Sequence, residues 1–232
     1  MVAKLGGTVA GTVVGFSLAL SGTLGLAADV APAPPKLQGL APEAAAKFVE
    51  IPATAETLRL LHAGGLTLYL RHGPTDNTKP DRVPAVDLND CGTQRPLTED
   101  GRKLMTRVGE AIRQARIPIG DFYVSPLCRA RESAAAALPK LTPTVDNNLM
   151  YVANFTDAEK APIIANTRTL MSTPVPAGVN RLVLAHAPNL MDLMGYFPKE
   201  GTLVVFRPKG AAEGFEYLAS VSPAAWASLT KP

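Results

Sequence analysis

The sequence has little excess of charge of either sign. It contains 23 basic and 20 acidic residues, for a formal net charge of +3, and it has no run of like charges. Proteins that bind nucleic acid or an anionic membrane surface use a basic patch or tail, so this balance argues against both partners. No internal repeat is present, which argues against a solenoid or a propeller. The remaining signal, 47% hydrophobic and 19% charged residues in a chain of 232, is typical of a globular domain.

Long hydrophobic runs are absent beyond the N-terminal region. Residues 5–23 are apolar and uncharged, follow a lysine at position 4, and precede Gly-Leu-Ala-Ala at 25–28, which offers small residues before a cleavage site. This is the pattern of a secretory signal peptide cleaved after Ala27 or Ala28. The alternative is an uncleaved membrane anchor, for which the run is short and poor in Leu, Ile and Val. We predict a signal peptide over 1–28, a Pro-rich leader over 29–40 and a domain over 41–232. We further expect export to a bacterial periplasm or the cell exterior, with no stable membrane association after cleavage.

Cysteine is scarce, since Cys91 and Cys128 are the only two. Two residues cannot complete a zinc site, and no other His or Cys lies at metal-binding spacing from either, so we expect no metal and no cofactor. Export permits a disulfide, which would stabilise the fold by about 4 kcal/mol on the chain-entropy model. The alternative is two separate thiols. We predict the disulfide.

Apolar strand patterns alternate with helical patterns along most of the chain. The alternation predicts an α/β fold, a three-layer sandwich with a mainly parallel sheet and an antiparallel edge formed by the last two strands. A long polar loop over 74–95 interrupts it, and loops of this length are usually functional. The predicted strands cover 66–71, 121–124, 181–186, 203–206 and 215–219, with a short one at Val145. The predicted helices cover 42–49, 55–62, 98–115, 129–138, 157–170, 189–194 and 223–229. In the helix predicted over 157–170, Pro162 is expected to delay the start of the regular part.

Histidine is also scarce, yet two of the three histidines end apolar strands. His72 follows Arg71 after the first strand, His186 ends the third, and Arg129 lies just after the second. In open α/β sheets, ligands bind beyond the carboxyl ends of the strands. The sequence therefore predicts a cationic, histidine-containing site at one edge of the sheet.

Four segments resemble, in order and spacing, those of the histidine phosphatase superfamily, the phosphoglycerate-mutase-like group. They are Arg71-His72-Gly73, RPLTEDG at 95–101, SPLCRARESA at 125–134 and VLAH at 183–186. In detail the chain is similar to small exported bacterial members that begin Arg-His-x-x-Thr-Asp. Those members also carry one cysteine just before the second segment and one inside the third.

The resemblance implies a phosphoglycerate-mutase-like fold over about 65–207 and a two-step phosphoryl transfer. His72 would attack phosphorus and water would then release phosphate, while Arg71, Arg129 and His186 would hold the phosphate oxygens. The residue types suit this chemistry, because guanidinium groups bind phosphate through paired donors. Two nearby guanidiniums should also lower the pKa of His72 and keep the imidazole neutral, as attack requires. We expect activity to persist into mildly acidic pH.

The matching segments do not identify the general acid that would protonate the leaving group. Some relatives place an acid directly after the second histidine, where this chain has Ala187. Glu200 is the first candidate for the proton donor, and Asp76, four residues after His72, is the second. Without a donor, substrates with good leaving groups become more favourable: phosphohistidine, acyl phosphates or phosphoanhydrides.

For three other basic residues, the sequence predicts a role or a position less specifically. Arg95, in the polar loop, is a candidate substrate contact. Arg131 is expected in a surface salt bridge, and His62 in an amphipathic helix. The sequence thus predicts an exported phosphatase acting on a small or macromolecular phosphorylated substrate. The alternative is a catalytically impaired protein of the same fold that binds phosphate or a sugar phosphate. A third possibility, a mutase, would need a phosphate donor pool that an exported compartment lacks.

Overall fold

The computed structural model describes residues 47–83 and 86–230. The predicted signal peptide and Pro-rich leader lie outside these residues, as do positions 42–46 of the first predicted helix. The described end of that helix, 47–49, has no regular secondary structure, so the prediction is wrong there. Within the two described ranges, no helix is both long and apolar enough to cross a bilayer.

Helices and strands alternate along the described part of the chain. In chain order they are α1 (Ala55–Ala63), β1 (Thr67–Arg71), α2 (Glu99–Gln114), β2 (Ile119–Val124), α3 (Cys128–Ala137), β3 (Thr144–Val145), α4 (Asp157–Ser172), β4 (Asn180–Ala185), α5 (Ala187–Met194), β5 (Leu203–Pro208), α6 (Gly210–Glu213), β6 (Phe215–Val221) and α7 (Trp226–Leu229).

The strands form a single six-stranded sheet in the order β3-β2-β4-β1-β5-β6. The first four in this order run parallel to one another, whereas β5 is antiparallel to β1 and β6 is antiparallel to β5. The predicted α/β fold, with a mainly parallel sheet and an antiparallel edge, is confirmed. The central pair β1 and β4 is buried, which explains why both strands read as continuous apolar runs.

Each face of the sheet carries its own hydrophobic core, which makes the fold a three-layer sandwich. Successive side chains of a strand point to opposite faces, so Leu68 and Leu70 pack on one side of β1 and Tyr69 on the other. The first core includes side chains of α1, α2, α3 and α7. The second includes Met171 of α4 and Leu190 of α5.

Helix α4 has the predicted first residue but is already regular before Pro162, and helix α7 starts three residues later than predicted. Helix α4 starts at Asp157, five residues before Pro162, because Thr156 and Glu159 form a capping box that stabilises the first turn. Proline there costs one backbone hydrogen bond without stopping the helix. Helix α7 starts at Trp226, since 223–225 form a turn in which the backbone N–H of Ala225 donates to the Ser222 carbonyl.

Candidate active site

The two strand-ending histidines lie side by side at the carboxyl edge of the sheet. The register pairs Arg71 of β1 with Ala185 of β4, so His72 and His186 leave the sheet at the same level. The backbone N–H of His72 donates to the Ala185 carbonyl at 3.2 Å. The two rings meet edge to face with centroids 5.2 Å apart, and both residues are buried. The structure thus brings together the histidines that the sequence placed at strand ends.

The imidazole of His72 is oriented by its own chain. Its Nδ1 lies 2.7 Å from the Gly73 carbonyl oxygen, so Nδ1 carries the proton and Nε2 keeps its lone pair. The backbone N–H of Gly73 donates to Ser133 Oγ at 3.1 Å. A side chain at Gly73 would place Cβ 2.8 Å from the Gly101 carbonyl oxygen, so glycine is required for this close approach to α2. The ring nitrogen with an available lone pair is therefore Nε2.

Arg129 lies at the start of α3 and is completely buried. Its Nη1 donates to Asp81 Oδ1 at 2.9 Å. Among the described residues, its Nε and Nη2 have no hydrogen-bond partner. Ser133, one turn along α3, donates to the Arg129 carbonyl and accepts from Gly73, which joins this turn to the His72 turn. A buried guanidinium with two free donors is suited to accept an anion.

Arg71 is held by the turn between α5 and β5. Its Nη1 donates to the Pro198 carbonyl at 2.6 Å and its Nη2 to Glu200 Oε1 at 3.3 Å. The Phe197 ring lies 5.0 Å from the guanidinium carbon. The backbone N–H of Gly201 bonds the Arg71 and His72 carbonyls, both at 3.2 Å, so this turn is fastened to the end of β1. The predicted donor Glu200 therefore contacts a predicted phosphate ligand.

The backbone and ring of His186 are both held by buried hydroxyl groups. The Tyr69 hydroxyl donates to the His186 carbonyl at 2.8 Å and accepts from its backbone N–H at 3.0 Å. Ser125 Oγ lies 2.7 Å from Nε2. Nδ1 is buried and has no partner in the described part of the chain.

The Tyr151 ring covers one side of the site. It lies 5.0 Å from the Arg129 guanidinium carbon and 5.7 Å from that of Arg95, and it packs edge to face on His186 with centroids 5.6 Å apart. Asp81 stands beside it, with Oδ1 accepting from both Arg129 and the backbone N–H of Arg95. The sequence singled out neither Tyr151 nor Asp81 as a site residue, although Asp81 belongs to the long polar loop.

The site keeps its histidines neutral. Burial in the first place, and the positive charge of Arg129 in the second, hold the pKa of His72 and of His186 well below 6.5. Burial also lowers the pKa of Arg129, while the charge of Asp81 opposes that effect. For Arg71, burial lowers the pKa and Glu200 raises it. A neutral imidazole beside guanidinium groups can attack phosphorus without first losing a proton.

The low histidine pKa values predict an acid-tolerant activity. Because His72 and His186 protonate well below 6.5, kcat/KM towards an aryl phosphate should not fall as the pH drops from 7.5 to about 6, where an unperturbed histidine would be mostly protonated. The measurement is a pH–rate profile corrected for titration of the substrate phosphate. An acid limb centred near 6.5 would show that a nearly ordinary histidine controls the rate and would contradict the expectation.

The remaining predicted residues occupy the periphery. Arg95 Nη1 donates to Asn77 Oδ1, and its guanidinium faces Tyr151, so it lies at the rim of the site. Asp76 turns away into its own loop, where Oδ1 accepts from both the backbone and the hydroxyl of Thr78. These bonds lower the pKa of Asp76, so it stays ionised and makes a poor proton donor.

Two further predictions concern residues outside the site. His62 is an exposed residue of α1 whose Nε2 bonds the Ala115 carbonyl, in line with its predicted helical position. Arg131 makes no surface salt bridge among the described residues. It donates instead to the Leu88 carbonyl at 3.1 Å, because α3 packs beneath the long loop.

The predicted disulfide is confirmed. Cys91 and Cys128 are bonded, with Cα atoms 5.7 Å apart. Cys128 is the first residue of α3 and precedes Arg129, while Cys91 belongs to the loop that carries Asp81 and Arg95. The bridge therefore ties the rim of the site to the turn that holds Arg129. Within the residues described, no cluster of three or more His, Cys, Asp or Glu side chains could hold a metal ion.

The fold and the site together define a class of protein. A three-layer α/β domain with neutral histidines and guanidinium groups at the carboxyl edge of its sheet is arranged to bind and transfer phosphoryl groups. Residues 67–159 match the family model of the histidine phosphatase superfamily (branch 1). The match confirms the resemblance seen in the motifs and supports a phosphatase-type function.

The solved structures to which the chain is similar include three phosphatases. The protein histidine phosphatase SixA complexed with tungstate is 17% identical, over 68% of this chain and 97% of that one, with a TM-score of 0.46. A mycobacterial glucosyl-3-phosphoglycerate phosphatase complexed with VO3 is 18% identical over 68% and 100%, with a TM-score of 0.48. Phosphoserine phosphatase from Entamoeba histolytica, in complex with 3-phosphoglyceric acid, is 13% identical over 68% and 96%, with a TM-score of 0.46. No curated protein sequence matches the chain. The family-model match, rather than these structural likenesses, supports the phosphatase-type function.

Proposed function

We propose that this protein is an exported phosphatase that hydrolyses phosphate monoesters or related phosphoryl groups through a phosphohistidine on His72. The observation that carries the proposal is the arrangement at the carboxyl edge of the sheet. There, His72 offers a neutral Nε2 beside Arg129, whose Nε and Nη2 are unpartnered within the described chain. Export rests on the signal-peptide pattern of the sequence and remains a prediction.

The reaction has two balanced steps. In the first, the Nε2 lone pair of His72 forms a bond to phosphorus, the bond to the leaving oxygen breaks, and that oxygen takes a proton from an acid. In the second, water attacks phosphorus, gives a proton to the conjugate base, and the N–P bond breaks. Arg71, Arg129 and His186 are the groups that would hold the phosphate oxygens throughout, which is the main catalytic task in phosphoryl transfer.

The proton donor is best sought among the carboxylates that contact these arginines. Glu200 bonds Arg71 and its side chain is one-third exposed, whereas Asp81 bonds Arg129 and its side chain is 7% exposed. Asp81 also lines the space beyond Arg129 that a leaving group would enter. We therefore favour Asp81 as the donor and assign Glu200 to the orientation of Arg71.

Paired variants distinguish the two carboxylates. Asp81→Asn should lower kcat for an alkyl phosphate by about 10²–10⁴-fold, since a poor leaving group depends on general-acid catalysis. It should affect 4-nitrophenyl phosphate far less, because that leaving group departs without a proton. Glu200→Gln should lower both rates by a similar factor. If Glu200→Gln instead shows the leaving-group dependence, the donor is Glu200 and the assignment of Asp81 is wrong.

The hydrolysis itself is tested with 4-nitrophenyl phosphate and purified full-length protein. We expect turnover that is inhibited by vanadate. Tight vanadate binding without turnover of any phosphate ester would favour the alternative, a phosphate-binding protein of the same fold.

A further inference from the structure

A cleft opens directly beside the candidate active site, on the side of Tyr151. Its larger compartment has a volume of about 240 Å³ and its smaller one about 190 Å³. Both compartments are lined by Asp81 and Tyr151, which are the residues that contact Arg129. A group bonded to a phosphate on Arg129 would therefore extend into this cleft.

The larger compartment is predominantly apolar. Five aliphatic or aromatic side chains line it in addition to Tyr151: Val83, Val86, Leu127, Met150 and Phe155. Among these side chains, Val83 is 57% exposed although it is a large hydrophobic residue. An apolar concavity with a few polar groups beside a reactive centre is the usual form of a small-molecule subsite.

The charged groups of this compartment are both acidic. Asp81 and Glu159 contribute carboxylates, and Glu159 is held in place by hydrogen bonds from the backbone and hydroxyl of Thr156. Those bonds lower the pKa of Glu159, so it remains an anion. An anionic leaving group would be repelled by Glu159, whereas an uncharged one would not. Arg95 belongs to the smaller compartment, where its Nη1 is bonded to Asn77.

The size of the compartment limits the group that it accepts. An apolar protein cavity of about 150 Å³ holds one benzene molecule, so about 240 Å³ accommodates a single ring with its linking atoms. We propose that this cleft is the leaving-group subsite, and that the preferred substrates are phosphate esters of uncharged alcohols or phenols that carry one aromatic or branched apolar group. This inference rests on the proposed function and specifies its substrate class.

The test compares three primary alkyl phosphates whose leaving alcohols have similar acidity: 2-phenylethyl, ethyl and 2-carboxyethyl phosphate. We expect kcat/KM to be about 10-fold or more higher for the phenylethyl ester than for the ethyl ester, since contacts in an apolar pocket typically provide discrimination of this size. The carboxyethyl ester should be the poorest substrate. Equal values for the three esters would overturn the subsite and leave the phosphatase function intact.

Variants of the cleft, with a matched valine control outside it, test whether the preference for the phenylethyl ester arises in this cleft. Val83→Asp should abolish the advantage of the phenylethyl ester over the ethyl ester, and Phe155→Ala should reduce it. Val49→Asp introduces the same charge at a valine that is 77% exposed and does not line the cleft, so it should retain the wild-type ratio. A Val83→Asp variant that keeps the full preference would contradict the proposal. Failure of the wild-type protein to hydrolyse any of these esters or 4-nitrophenyl phosphate would instead contradict the proposed function.

Discussion

His72→Gln is expected to eliminate phosphatase turnover while leaving the fold intact. The glutamine amide can replace Nδ1 as the donor to the Gly73 carbonyl, and it fills most of the buried space, but it supplies no nucleophilic nitrogen. Removal of a covalent nucleophile disables the groups that act with it, so we expect kcat to fall by roughly 10³-fold or more. The measurement is turnover of 4-nitrophenyl phosphate at saturating substrate.

The third histidine offers a matched control for this variant. His62 is exposed in α1 and bonds the Ala115 carbonyl, away from the strand ends. His62→Gln should therefore retain wild-type kcat and KM. Circular dichroism and the thermal midpoint would report whether His72→Gln is folded. A folded His72→Gln protein with near-wild-type kcat would show that another residue is the nucleophile.

Loss of the Cys91–Cys128 disulfide should produce the largest change in stability. The bridge joins residues 37 apart in sequence. The chain-entropy model predicts that opening a loop of this length costs about 4 kcal/mol of unfolding free energy. We expect denaturant titration of the Cys91→Ser/Cys128→Ser double variant to show this loss relative to wild type.

The same variant should weaken substrate binding, because the bridge fastens the loop that carries Asp81 and Arg95 to the start of α3. Gln94 contributes a second tie, since its Oε1 accepts from the Cys128 backbone N–H at 2.7 Å. Wild-type protein treated with a reductant should reproduce the double variant, and the double variant should not respond to the reductant. If the double variant loses less than about 1 kcal/mol, the disulfide is not a major constraint on this fold.

Much of the fold could be predicted because its signals are local. The apolar run before Arg71 marks a buried strand whatever lies around it, and Thr98 marks a helix start by accepting a hydrogen bond from Gly101 three residues on. Parallel topology then brings strand ends together, which is why His72 and His186 were expected to meet. Pro162 does not delay the regular part of α4, because the Thr156–Glu159 capping box stabilises its first turn.

The missing parts of the site depend on tertiary structure. Asp81 bonds Arg129 across 48 positions of sequence, and Tyr151 contacts His186 across 35. Because the partners are so far apart in sequence, no spacing or periodicity predicts either contact. The only available signal for Asp81 was its presence in a long polar loop that contains several other acids. The contact between Glu200 and Arg71 could not be predicted either, because it depends on how the turn before β5 is hydrogen-bonded to the end of β1.

The central claim is that His72 carries the phosphoryl group, and trapping the intermediate tests it most directly. The full-length protein is mixed with a phosphate ester, quenched in alkali, which preserves phosphohistidine, and the peptides are mapped by mass spectrometry. We predict one added phosphoryl group on His72 in the wild-type protein, and none in His72→Gln. A phosphoryl group on His186 or on a serine, or turnover with no protein-bound phosphate at any quench time, would contradict this mechanism.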